Sequence, residues 1–174
     1  IEVNTIDGLF GAKYDFSSGL NIIRGNNSSG KSTLFQSILY ALGFEELLGG
    51  KNAKTMQSVL KDQVEYANEL HKVIESSVSL EIENEEIVTI KRFIVSPTKK
   101  EQLVEVYFGS ILIEENMSCR MQQMYVHSKG SASDNFYGFH AFLADFLNWE
   151  LPEVLTTQGE TARLYLQQIA PSFI

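Results

Sequence analysis

At 174 residues the chain is long enough for one hydrophobic core of ordinary size, and 44% hydrophobic with 11% aromatic content excludes an intrinsically disordered chain. Fourteen basic against 22 acidic residues leave a net charge of −8, which argues against nucleic-acid binding through the surface as a whole. Cys119 has no partner for an internal disulfide, His71, His127 and His140 offer no metal-ligand spacing, and no apolar run reaches the length of a membrane span. With no signal peptide visible, a single domain in a reducing, cytoplasmic compartment is the expectation.

In chain order, Ile1, Val3, Ile6, Leu9, Phe10, Tyr14 and Phe16, interrupted by Asp7-Gly8 and followed by Ser17-Ser18-Gly19, predict two short strands around turns. Leu20-Asn21-Ile22-Ile23 is an apolar run suited to a buried strand. It leads directly into Gly25-Asn26-Asn27-Ser28-Ser29-Gly30-Lys31-Ser32-Thr33, which fits G-x-x-x-x-G-K-[S/T] at every fixed position. Leu34, Phe35, Ile38, Leu39 and Leu42 then recur at helical spacing, and Gly43 is placed to end the helix.

Strand, loop and helix in that order are the context in which the pattern has chemical meaning. A nucleoside triphosphate carries several negative charges, and such a loop meets them with inward-pointing backbone N–H groups at the positive end of a helix. Lys31 is placed to reach the β- and γ-phosphates, Ser32 to complete a Mg²⁺ shell, and Thr33 to hydrogen-bond the α-phosphate side. The four fixed positions would occur by accident in a chain of this length about once in a hundred cases.

Beyond the helix, Leu47-Leu48 and Gly49-Gly50 lead through Lys51-Asn52-Ala53-Lys54 into Met56, Val59, Leu60 and Val64, read as a glycine-rich loop and a helix. Val78, Leu80 and Ile82 alternate with polar residues, and after Asn84-Glu85-Glu86 a second run from Ile87 to Val95 does the same, which predicts a hairpin with one wet face. Pro97 to Gln102 reads as a polar turn, and Leu103 to Phe108 and Ser110 to Ile113 as two further strands. After a serine-rich loop from Ser128 to Asp134, the residues Phe136, Phe139, Phe142, Leu143, Phe146 and Leu147 form an apolar helical stripe. Thr157-x-x-Glu160 has the form of a capping box for a short helix over Thr161 to Gln168, and Ser172-Phe173-Ile174 reads as a strand.

The run from Gly19 to Thr33, followed by Ile38 to Gly43, resembles the N-terminal half of an ABC-type ATPase head. It is most similar to the SMC-like, RecF/RecN-type ATPases of chromosome maintenance, DNA repair and phage defence, which typically read G-L-N-x-I-x-G-x-N-G-S-G-K-S-T there. Ser28 stands where that pattern has glycine, and Ile90-Lys91-Arg92-Phe93-Ile94 resembles the strand with a central arginine that follows the family's first hairpin. The fold class implied is α/β, the N-terminal lobe of a P-loop ABC-type ATPase, with a mixed sheet around the P-loop helix and an antiparallel β meander.

The resemblance further implies ATP and Mg²⁺ as ligands, held by Gly25, Asn26, Asn27, Ser28, Ser29, Gly30, Lys31, Ser32 and Thr33, with Arg24 beside them and Ser32 on the metal. No apolar strand ending in Asp-Glu and no Ser-Gly-Gly signature is found, so no residue is assigned to catalysis. The partners implied are a C-terminal half of the same head, a second copy of the head as a homodimer, DNA reached through the assembly and a nuclease or other effector subunit, at a cytoplasmic or nucleoid-associated location. The family's glutamine is expected just past Ile174, with Gln158, Gln167 and Gln168 as candidates within the chain.

Several residues have plainer readings. Arg24 reads as a phosphate or DNA contact or as a solvated strand-end charge; Lys51, Lys54 and Lys61 with Asn52 as a small basic patch or a solvated loop. Lys91-Arg92 and Lys99-Lys100 read as strand-edge charges, and His127 as an ordinary surface histidine. The alternative functions are a self-contained P-loop kinase or NTPase, although only four arginines are available for a lid, and a nucleotide-binding docking module without hydrolysis.

Overall fold

In a computed structural model that describes residues 1–50, 52–112, 119–126, 138–150, 152–155, 157 and 159–163, the N-terminal alternation becomes a hairpin. Strand β1 (Glu2–Thr5) pairs antiparallel with β2 (Leu9–Gly11), and Val3 and Thr5 turn inward while Glu2 and Asn4 stay exposed. Thr5 closes the turn, its Oγ1 donating to the Gly8 carbonyl (2.9 Å) and accepting the Gly8 amide (3.2 Å).

Residues 12–30 follow without a strand, and every one of them is exposed. The strand expected over Leu20 to Ile23 is therefore not formed, and no sheet surrounds the P-loop helix through it. A strand needs neighbours to bond its backbone, and among the described residues no strand pairs with this segment. Helix α1 (Lys31–Ala41) begins at Gly30 and ends where expected, with Gly43 in the left-handed region (φ 76). Its buried face is Leu34, Ser37, Leu39, Tyr40 and Ala41 rather than the expected stripe, since Phe35 is exposed.

The helix expected around Met56 to Val64 is shorter than its pattern. Two 3₁₀ turns, Glu45–Leu48 and Asn52–Thr55, precede α2 (Ser58–Lys61), and Val64 lies in β3 (Gln63–Tyr66). Ala67 and Asn68, both with positive φ (53 and 64), form the two-residue connection to β4 (Glu69–Glu83), which starts well before the alternation is legible. Strand β5 (Ile87–Val95) completes the predicted hairpin, but not with one wet face: Val88, Thr89 and Ile90 are buried in succession.

The chain divides into two compact units, Ile1–Leu80 with Lys91–Glu101, and Glu81–Ile90 with Gln102–Ile174. In the first, the hydrogen-bonded strand order is β2-β1-β4-β5, with β3 also on β4, and Val3↔Ser76 sets the antiparallel register of β1 on β4. Its core gathers Val3, Tyr40, Ala41, Met56, Leu60, Val64, Val73, Val78 and Ile94. In the second unit, β6 (Leu103–Phe108) pairs antiparallel with β7 (Arg120–Tyr125), a strand the sequence pattern did not disclose.

Helix α3 (Phe139–Phe146) buries Phe139, His140, Leu143 and Ala144 in the second unit, and Asn84 Nδ2 donates to the Phe146 carbonyl at its C-terminus (2.7 Å). No strand forms over Ser110 to Leu112, and Ile113 lies outside the described residues. The predicted helix from Thr161 is also overturned: Thr161–Arg163 is β9, paired antiparallel with β8 (Glu153–Leu155), so ladder hydrogen bonds replace the capping box. Residues 164–174, with Gln167, Gln168 and the expected terminal strand, and also Lys51, His127, Phe136, the loop from Ser128 to Asp134 and Gln158, lie outside the described residues.

Candidate phosphate-binding site

The loop before α1 is shaped by the residues its pattern specifies. A Cβ at Gly25 would stand 2.5 Å from Ser29 Oγ, so any larger residue there would have to displace the Ser29 hydroxyl. Ser28 (φ 62) and Gly30 (φ 83) are left-handed with Ser29 between them, an alternation of hand that turns successive N–H groups toward a common side. Ser28 occupies a conformation that favours glycine, which gives a physical content to its departure from the family pattern.

Lys31 bends back over this loop. Its Nζ donates to the carbonyls of Gly25 (2.7 Å) and Asn26 (2.5 Å) and to Ser29 Oγ (3.4 Å), while the Ser29 amide donates to the Asn26 carbonyl (3.3 Å). No side chain caps the N-terminus of α1 and its first turn holds no acidic residue, so the first helical amides and the positive end of the dipole face the loop without a protein anion. Ser32 lies exposed in that first turn, with Thr33 beside it and Arg24, Asn26 and Asn27 exposed in the approach. The donor set is the kind that fits a triphosphate with its cation: an ammonium, a hydroxyl and a row of amides.

The approach is braced by Asn21, which the sequence reading did not single out. Its Oδ1 accepts from the Ser17 amide (2.9 Å), and its Nδ2 donates to the carbonyls of Ser17 (2.7 Å) and Gly19 (3.1 Å), pinning the turn ahead of the loop. By contrast Leu20 and Ile22 are 85% and 80% exposed.

The other end of α1 is buried and charged. Arg92, expected at a strand edge, is 0% exposed and forms a two-pronged ion pair with Glu45, itself 1% exposed: Nη1 to Oε2 and Nη2 to Oε1, both 3.0 Å. The alternation of β5 explains the correction, because Arg92 shares parity with the buried Val88, Ile90 and Ile94. Its Nη1 also donates to the Tyr40 carbonyl and its Nη2 to the Glu101 carbonyl (3.0 Å), and the guanidinium stacks 3.9 Å from the Tyr40 ring centroid. The Tyr40 hydroxyl donates to the Phe93 carbonyl (2.7 Å). Burial pushes the Tyr40 phenol well above its ordinary range, against the opposing pull of Arg92.

Among the described residues the other basic candidates make contacts away from the loop. Lys61 Nζ donates to the Lys54 carbonyl (3.3 Å), and Lys91 pairs with Glu2 (3.4 Å). Lys91 and Lys99 lie 5.5 and 5.9 Å from the Phe93 ring centroid. Among the described residues no group of three or more His, Cys, Asp or Glu is gathered for a metal, and no helix is long and apolar enough to cross a membrane.

The family model of the AAA domain matches residues 10–143, well over half of the chain, and takes in the loop, α1 and the strands β3 to β7. Neither the curated proteins nor the solved structures contain a match. The chain belongs to the AAA domain family and is a P-loop ATPase.

Proposed function

With membership in the AAA domain family as premise, we propose that this chain is the ATP-binding half of an SMC-like, ABC-type ATPase head. The head uses ATP-driven dimerisation and hydrolysis to act on DNA in repair, chromosome maintenance or anti-phage defence. The observation that carries the reading is a mismatch within one motif: the phosphate grip is assembled, while the apolar run that leads into it lies exposed and unpaired. Apolar surface of that kind supports a missing set of strand neighbours, which a second sequence half of the head would supply. The self-contained kinase offers no reason for it.

In this reading Lys31 exchanges its bonds to the Gly25 and Asn26 carbonyls for phosphate oxygens. The amides from Ser28 to Thr33 hold the phosphate chain, and Ser32 places its hydroxyl on Mg²⁺. Bound Mg²⁺ neutralises phosphate charge and polarises the γ-phosphoryl group. The C-terminal half contributes the metal-binding aspartate and the water-activating glutamate, and a second copy of the head closes over the nucleotide, so that ATP binding and hydrolysis switch the shape of the assembly. DNA is held by the dimer and its coiled coils rather than by this acidic chain, with a nuclease or other effector subunit alongside, in the cytoplasm or on the nucleoid.

Lys31→Ala should weaken ATP binding by the intact protein at least a hundredfold, as read by titration with MgATP; undiminished affinity would remove the phosphate-loop assignment. Residues 1–174 alone should show no turnover above background. Robust Mg²⁺-dependent hydrolysis by that piece would contradict the half-site while leaving the loop assignment intact.

A further inference from the structure

We infer that Arg92 is a positioning residue for the phosphate-binding loop, acting through α1; the inference rests on the reading of residues 25–33 as that loop. The helix is gripped at one end. Its C-terminal residue pair Tyr40 and Ala41 belongs to the core cluster, and Tyr40 is held at three points: its carbonyl by Arg92 Nη1, its ring by the guanidinium face, and its hydroxyl by the Phe93 carbonyl. Arg92 in turn is fixed by both carboxylate oxygens of Glu45 and by the Glu101 carbonyl. At the other end residues 25–30 are all exposed, and Lys31 bonds only within the loop among the described residues.

A helix of 11 residues is about 16 Å long, so a tilt of about 10° at the gripped end displaces the loop by roughly 3 Å. Misplacement by about 1 Å can lower the rate or affinity of a site about a hundredfold. The clamp is poorly explained as a device for stability, because a buried ion pair repays little more than its own desolvation. It is well suited to direction: the planar guanidinium accepts one geometry for its two bonds to Glu45, its bonds to two carbonyls and its stack on Tyr40. The positive charge also sits where the helix dipole is negative, at the end opposite the phosphates.

The test uses the intact protein with Arg92→Lys, which keeps the charge but loses the fork, and with the paired Arg92→Met/Glu45→Leu, which removes both buried charges together. Three quantities are read: the melting temperature, the dissociation constant for MgATP, and amide hydrogen exchange over residues 25–37 without nucleotide. Melting within a few degrees of the parent, an ATP dissociation constant raised about tenfold or more, and faster exchange over 25–37 are expected. Unchanged affinity and exchange in a variant that melts like the parent would reduce Arg92 to a structural residue. Should both variants lose the fold, Tyr40→Phe, which removes only the hydroxyl's bonds to the Phe93 and Glu101 carbonyls, carries the test: about threefold faster exchange over 25–37 is expected, and no change overturns the role. The exchange measurement needs no nucleotide. A parent that binds no ATP therefore removes the phosphate-loop reading, while exchange still decides whether Arg92 aims the segment.

Discussion

At its N-terminal end α1 offers amides, an ammonium and a hydroxyl to solvent, whereas at its C-terminal end the same helix meets a buried guanidinium and a buried carboxylate. The two ends meet opposite demands. Groups that must meet a ligand have to be accessible, and they are mostly backbone, so their shape is set by the left-handed residues at 28 and 30. Groups that must not move are side chains drawn from distant parts of the chain, desolvated so that their electrostatic contacts are strong and specific.

The comparison can be broken most sharply from the buried end. Arg92→Ala would leave Glu45 buried without its partner and should cost about 3–5 kcal/mol in urea unfolding; a loss below about 1 kcal/mol would mean that the pair is not desolvated. Next in size is Ser28→Gly. Relief of a left-handed side chain is worth about 1–2 kcal/mol, and the added chain entropy of glycine takes back about 0.5–1 kcal/mol. A gain of roughly 0.5 kcal/mol should therefore appear in the same unfolding experiment, and a clear loss would show that the Ser28 side chain has a role the loop geometry does not reveal. The smallest effect belongs to Ile22→Ser in residues 1–174, expected within about 0.5 kcal/mol of the parent because the side chain is already in water. In the intact protein, if a second half covers the segment, the same change should cost about 1.5–3 kcal/mol.

Much of the candidate site was legible because its chemistry is local. Gly25, Gly30, Lys31 and Ser32 sit within eight residues, and the loop they make depends on backbone geometry that glycine and a helix start impose from within. Strands β5 and β6 were read at the same residues that form them, since apolar runs bounded by Asn84-Glu85-Glu86 and by Pro97 to Gln102 leave little choice. The β3–β4 hairpin escaped because its two-residue turn is Ala67-Asn68, with no glycine to announce the left-handed conformation. Thr157-x-x-Glu160 misled for the opposite reason: a local capping pattern was overridden by pairing of Thr161–Arg163 with Glu153–Leu155.

Arg92 shows where local reading stops. Parity along β5 placed it inward beside Ile90 and Ile94, which the charge of Lys91-Arg92 concealed, but nothing near it in sequence names Glu45, 47 residues away, as its partner. The amino-acid sequence by itself determined the G-x-x-x-x-G-K-[S/T] nonapeptide, the helix behind it and the P-loop ATPase class, because each is written in residues close along the chain. Only the tertiary structure decided that Arg92 is buried against Tyr40 and Glu45, and that the run before the loop lies uncovered. Ion pairing and strand pairing join residues remote in sequence, and their energy depends on which other groups exclude water from them.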